Sequence, residues 1–303
     1  MPAGTVLALG NFDGVHLGHR AVFRAAIDQA QRLGAKAYAL TFDPHPQTFF
    51  QREAGPFLLM DLEVRRGQIL EAGMDGVITL DFTKELAAMT AEEFIEKVLV
   101  GSCRAKHIVV GHDFVFGKNR QGTFELLTER LKAHGIAVTE VPAQKDDGGE
   151  VISSSRIRKA LEEGDAQKAS ALLGRPFGFA GAVEKGAQRG RLMDFPTANM
   201  RAPKDTIHPR YGVYAVWVRP VGEDLWWPAV ANLGVRPTFD TDEEMFEFHI
   251  LDFHGEFYGS EWEVSLVSFL REERKFASMD ELKEQIVRDA ARARELLKVE
   301  HDE

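Results

Sequence analysis

Partway along the chain the apolar pattern changes period, and few architectures accommodate both halves of it. Up to about Leu173, short β-rich runs alternate with helical stretches. Val6 to Leu9, Ala37 to Phe42, Gly76 to Leu80, His107 to Val110 and Ala137 to Val141 read as strands. Between the first two, Val22, Phe23, Ala26, Ile27, Ala30 and Leu33 recur on one helical face, and Phe124 to His134 gives another helix that stops at Gly135. This alternation predicts a parallel, doubly wound α/β sheet, whose ligands gather at the carboxyl ends of the strands. Beyond Gly174 the helices drop out. Phe179 to Val183, Gly212 to Val218, Trp226 to Leu233, Met245 to Phe253 and Trp262 to Phe269 read as strands, which predicts an antiparallel β-barrel. A helical pattern returns from about Met279 to Leu297, with Leu282, Ile286, Ala290 and Ala293 as its apolar stripe. Gly174 and Pro176 mark the change, so the chain divides into domains 1–173 and 174–303.

A length of 303 residues with 44% hydrophobic content is enough for two cores. The net charge of -10 is spread along the chain, which argues against general attraction to nucleic acid or anionic lipid, so an anionic ligand must be held locally. Cys103 is the sole cysteine, which excludes an intrachain disulfide and a cysteine metal cluster and fits a reducing compartment. No basic leader precedes Val6 and no apolar run is long enough to span a bilayer, so a cytoplasmic protein is expected.

The first strand runs into Gly10-Asn11-Phe12-Asp13-Gly14-Val15-His16-Leu17-Gly18-His19. A glycine-rich turn at a helix start aims backbone N–H groups and the positive end of the helix at an anion. His16 and His19, one helical turn apart, can face the same phosphates. One histidine there would read as a cap; the glycines and both histidines together outline a nucleoside triphosphate site. Pro44 and Pro46 stiffen the loop after the second strand, and Phe50 and Phe116 could offer apolar surface to a flat ring, although aromatic residues at strand ends equally suit a core. Ser154 and Arg158, four apart where a helix begins, would aim a hydroxyl and a guanidinium at phosphate; an N-cap serine with a solvated arginine is the plainer reading. In the second half, Thr197 and Asn199 of Pro196-Thr197-Ala198-Asn199 alternate onto one side of an extended backbone, or else belong to a polar turn. Glu247, between Phe246 and Phe248, reads by itself as an outward barrel residue.

In order, and over nearly the whole chain, these segments resemble the bacterial bifunctional riboflavin kinase/FAD synthetases. Gly10 to His19 is similar to the HxGH signature of nucleotidylyltransferases, and Thr41 to Pro46 to the family's flavin-side loop. Gly111 to Gly117, with Arg120 and Gly122, resembles the second flavin segment, and Ile152 to Arg158 the second phosphate motif. Gly186, Gly190 and Arg191 to Asn199 resemble the riboflavin kinase signature, followed by family-like segments at Gly212 to Tyr214, Asn232 to Thr238, Phe246 to His249 and Phe269 to Phe276.

The resemblance implies a Rossmann-like N-terminal domain that adenylylates FMN to FAD with release of pyrophosphate, and a C-terminal barrel that phosphorylates riboflavin to FMN. Both would use ATP with Mg2+. It assigns ATP to Gly10, Asn11, Phe12, Asp13, Gly14, His16, His19, Ser154 and Arg158 in the first domain, and to Gly186, Gly190, Thr197 and Asn199 in the second. Flavin falls to Pro44, His45, Pro46, Phe50, Asp113, Phe116 and Arg271, the metal to Thr197 and Asn199, and catalysis to His16, His19, Arg158 and the base Glu247. Arg274 and Lys275 read equally as a solvated charge run. Met193-Asp194 departs from the Leu-Gly of many members, which opens a second reading, an FAD synthetase with an impaired kinase domain. The expected partners are riboflavin, FMN, FAD and ATP, with no nucleic acid and no membrane.

Overall fold

The computed structural model describes residues 4–51, 55–184, 195–201, 203–237, 242–253 and 259–298. Contacts divide the chain into two compact units, Met1–Ser154 and Ser155–Glu303.

The first unit is built on five parallel strands, β1 (Val6–Leu9), β2 (Ala37–Asp43), β3 (Gly76–Asp81), β4 (His107–Gly111) and β5 (Ala137–Val141). They lie in the order β3-β2-β1-β4-β5. All five agree with the sequence reading to within a residue at each end. β1 is buried along its whole length because both faces are covered: Val6 and Ala8 join one apolar cluster, Leu7 and Leu9 the other. The first cluster takes in Val22, Phe23, Ala26 and Ala30 of α1 (Leu17–Leu33), and Ile69. The second takes in Phe94, the π-helical turn Ile95–Ser102, and Leu127 and Leu131. The intervening helices are α2 (Pro46–Phe50), α3 (Leu62–Glu71), α4 (Lys84–Ala88), α5 (Ala91–Phe94) and α6 (Phe124–Lys132). The chain leaves β1 for β2 and β3 on one side, then crosses to β4 and β5 on the other. That reversal opens a crevice at the carboxyl end of β1.

α7 (Ser154–Glu162) begins at the division between the units, and α8 (Ala166–Leu173) follows. The apolar rhythm changes at Gly174, whereas α8 already packs on barrel strands β6 (Phe177–Glu184) and β11 (Glu261–Arg271). With β7 (Ala198–Arg201), β8 (Gly212–Pro220), β9 (Trp227–Pro237) and β10 (Asp242–Ile250), these close a barrel in the order β10-β7-β6-β11-β8-β9, every neighbour antiparallel. Tyr214, Val216, Phe246, Phe248 and Leu266 are fully buried. Five of these strands were expected. The sixth, β7, has four residues, too short to show a period; it begins at Ala198 within the Pro-Thr-Ala-Asn motif and runs on to Arg201.

α9 (Met279–Leu297) starts on Ser278, whose side chain accepts from Glu281 N, and lies on β8, β9 and β11. Ala290, Ala293 and Leu297 pack against Ala215 and Leu251. One position on α9 breaks its apolar stripe: Asp289 is buried and receives Arg271 Nε and Nη2 at 2.9 and 2.8 Å.

Candidate functional site

At the crevice of the first unit, the turn from β1 into α1 places both histidines. His16 is the N-cap of α1, its Nδ1 accepting from His19 N at 3.3 Å, and the two imidazoles stack with centroids 3.6 Å apart. Gly18 makes room for that stack, since a Cβ there would stand 3.0 Å from Cε1 of His16. The turn bends through left-handed backbone at Phe12, Gly14 and Val15, with φ of 53°, 88° and 41°. Residues other than glycine hold such angles only when their surroundings compel them, and here the surroundings are explicit. Phe12 is buried, its ring edge-on to His19 at 5.3 Å, so it supports the imidazole from the core side. Asp13, also buried, turns its carboxylate to Leu59 N at 3.0 Å, and its carbonyl accepts from Ser154 Oγ at 2.8 Å. Asn11 O accepts from Thr41 Oγ1 at 2.9 Å and from Arg65 Nη1 at 3.0 Å. Arg158 follows Ser154 by four residues on α7, one helical turn along the same face.

The flavin-side residues separate into an exposed and a buried group. After β2, Pro44 and Pro46 enter α2; His45 caps that helix through Nδ1, which accepts from Gln47 N at 3.1 Å, and is buried beside Phe57. Phe50 is 68% exposed, edge-on to Phe49 and Phe82. Phe116 is in the core against Phe94 and Phe114, and a Cβ on Gly122 would meet its ring at 2.6 Å. Of the two aromatic candidates, Phe50 therefore offers a ring face to a ligand and Phe116 offers bulk beneath the loop. Asp113 is exposed, 3.9 Å from His112.

In the barrel the site is set by strand register. Asn199 on β7 lies opposite Glu247 on β10, with Glu184 of β6 on its other side; Glu247 in turn lies opposite Asn232 of β9. Directly opposed residues share a sheet face, so these four form one row, on the face away from Phe246 and Phe248. Asn199 is 3% exposed, and its Oδ1 has no hydrogen-bond partner among the described residues. A buried amide oxygen without a donor is an open acceptor, of the oxygen type that suits Mg2+. Thr197 is half-buried just before β7. Gly186, Gly190, Met193 and Asp194 lie outside the described residues. Arg271 donates to Asp289 and, at 2.9 Å, to Glu272 O, and faces the Phe276 ring, tying α9 to β11.

Two residues to which the sequence reading gave no role brace these regions. His249 Nδ1 lies 2.9 Å from Pro196 O; a carbonyl can only accept, so Nδ1 carries the proton. Phe195 meets the same ring edge-on, and burial pushes the imidazole below its ordinary value, keeping it neutral. Arg65, on α3, is 1% exposed and donates both to Asn11 O in the turn after β1 and to Phe42 O near the end of β2. Arg65 carried no sequence signal, since one arginine on a helix reads as a surface residue, whereas His249 closes a family-like segment without a role of its own.

Comparison with known proteins assigns the two units separately. Residues 1–156 match the FAD synthetase family model and residues 173–297 the riboflavin kinase model. The bifunctional riboflavin kinase/FMN adenylyltransferase of Escherichia coli K12 is 39% identical over 292 residues, 96% of this chain and 92% of that protein. That of Bacillus subtilis is 36% identical over 296 residues, 96% and 92% of the two chains. A Streptococcus pneumoniae crystal structure, described as a macrolide-efflux protein, shares the fold at a TM-score of 0.85 and 32% identity, covering 97% of this chain and 95% of that one. No helix among the described residues is long and apolar enough to cross a membrane.

Proposed function

The chain belongs to the bifunctional riboflavin kinase/FMN adenylyltransferase family, and from that premise we propose which of its residues carry each of its two reactions. Both domains are present and the full-length relatives are named for both activities, so the reading with an impaired kinase is not favoured.

In adenylyl transfer the FMN phosphate is already a nucleophile. Its oxygen attacks the α-phosphorus of ATP and pyrophosphate leaves, so the protein supplies alignment and charge stabilisation. The backbone of Gly10, Asn11, Phe12, Asp13 and Gly14 and the start of α1 receive the phosphates, with His16 and His19 against the charge that builds on them. Ser154 Oγ donates to the Asp13 carbonyl of this turn, and the resemblance adds the guanidinium of Arg158. Pro44, Pro46, Phe50 and Asp113 line the flavin side, with His45 and Phe116 beneath as supports.

In the kinase, riboflavin's terminal hydroxyl is a weak nucleophile, and Glu247 accepts its proton as the oxygen bonds to the terminal phosphorus of ATP. Thr197 and Asn199 would hold Mg2+, which would supply neutralisation of phosphate charge, and Gly186 and Gly190, outside the described residues, fall to ATP by the resemblance alone. Arg271 holds α9 in place. The observation that carries this reading is the pairing of Asn199 with Glu247 across β7 and β10, which sets an orphaned acceptor beside a carboxylate. ATP as substrate and a lone cysteine fit a cytoplasmic setting, without nucleic acid or membrane as partner.

Incubating the protein with riboflavin, ATP and Mg2+ and separating the products by chromatography tests both assignments. FMN followed by FAD is expected. FMN alone would remove the first assignment, and FAD only from supplied FMN the second.

A further inference from the structure

Arg65 is a charged side chain in a position where charge is costly. It is 1% exposed, and desolvation pulls its pKa down against the raising influence of Asp13, Asp43 and Asp61. Two backbone carbonyls receive it. Nη1 donates to Asn11 O at 3.0 Å and Nη2 to Phe42 O at 3.1 Å, with Asp43 Oδ1 3.9 Å away. Nε has no hydrogen-bond partner among the described residues, so the group keeps this place although it is incompletely satisfied.

The two carbonyls belong to different loops. Asn11 is in the turn from β1 to α1 that leads to His16 and His19; Phe42 is two residues before Pro44, where β2 opens into the flavin-side loop. The same Asn11 carbonyl also accepts from Thr41 Oγ1, so the end of β2 is tied to the turn twice. A planar guanidinium with donors in a fixed fork sets a separation that a single ammonium cannot. We infer that Arg65 is a positioning residue for adenylyl transfer, setting the nucleotide turn and the flavin loop at a fixed distance so that the FMN phosphate and the α-phosphorus of ATP meet in line. This rests on the adenylyltransferase assignment above. It adds a residue that touches neither substrate but fixes the geometry between them.

A spacer of this kind has a kinetic signature different from that of a substrate contact. Each loop still binds its own substrate when the spacer goes, so both KM values hold while kcat falls, since misplacement by about 1 Å costs on the order of 10²-fold. The test is steady-state FAD synthesis from supplied FMN by Arg65→Met and Arg65→Lys in the full chain, well below the thermal midpoint of each. The expected order of kcat is Arg above Lys above Met, with Lys down about tenfold and Met about 100-fold, both KM values within about threefold, and FMN formation from riboflavin unchanged. Unchanged kcat in a folded variant, or a loss confined to one substrate's KM, overturns the inference. If Arg65→Met does not fold, Arg65→Lys decides alone: a kcat loss with steady KM values supports the spacer, and wild-type kcat refutes it. Failure of the wild-type chain to make FAD from FMN would instead remove the assignment on which it rests.

Discussion

In the parallel sheet the functional groups sit on turns beyond the strands, and side chains from other elements hold those turns; in the barrel they sit within the ladder, and pairing sets them face to face. His16 and His19 depend on Asp13 reaching Leu59 N, on Thr41 and Arg65 reaching Asn11 O, and on Ser154 reaching Asp13 O. Asn199 and Glu247 depend on the antiparallel register of β7 and β10. A site on turns can be loosened one latch at a time, whereas a ladder site retains its geometry until strands part.

The widest break between the two comes from removing both imidazoles. His16→Ala with His19→Ala removes the two groups proposed to face the reacting phosphates, and FAD formation should fall by about 10⁴-fold or more, taking each as worth 10²- to 10³-fold. FMN formation from riboflavin should continue at the wild-type rate. Loss of both products in a folded double variant would show that the two sites are not independent.

Glu247→Gln probes the ladder site in the opposite direction. Side-chain size is kept and basicity lost, so kcat for FMN formation should drop by about 10³-fold with little change in KM, while FAD synthesis from supplied FMN persists. Near-normal kinase turnover across neutral pH would reduce Glu247 to a barrel residue. Arg158→Ala should cost adenylyl transfer about 10²-fold through one missing charge-assisted contact and leave the kinase unaffected. An unaltered rate of FAD synthesis would return Arg158 to a solvated helix face.

The smallest expected effect compares the units by one desolvated histidine in each, His107 and His249. Burial lowers His107 and His249 below the ordinary value of 6.5, so each is neutral in the fold. The unfolded chain takes up the proton first as the pH falls through 6.5, so stability is full above that value and lost on acidification towards the lower folded values. Trp217, Trp226, Trp227 and Trp262 all lie in the second unit, so the urea midpoint by tryptophan fluorescence reads that unit alone. The midpoint should fall on acidification and fall less in His249→Asn; equal falls would show that His249 is not the group responsible.

What could be read from the sequence follows the same division. The turn motif was visible because its glycines and histidines lie close together in the chain, and the five parallel strands because their apolar runs are bounded by loops. The latches were not, because Arg65 and Leu59 are far from the motif they hold and nothing in the local pattern marks a buried partner. Nor does the sequence show that His45 and Phe116, which the resemblance assigns to the flavin, are both buried. β7 escaped because its four residues show no period, so the row from Glu184 to Asn232 appears only once the strands pair.

The shortness of β7 also bears on which changes the chain can survive. Ala198 and Met200 are fully buried on one side of β7, Asn199 projects on the other, and both edges of the strand are paired. Slipping the strand by one residue would deliver an alanine or a methionine to the place opposite Glu247 and drive the asparagine amide among Phe246 and Phe248. Substitutions along this stretch can therefore be gradual in effect, whereas an inserted or deleted codon within it would end kinase activity and barrel closure in one event.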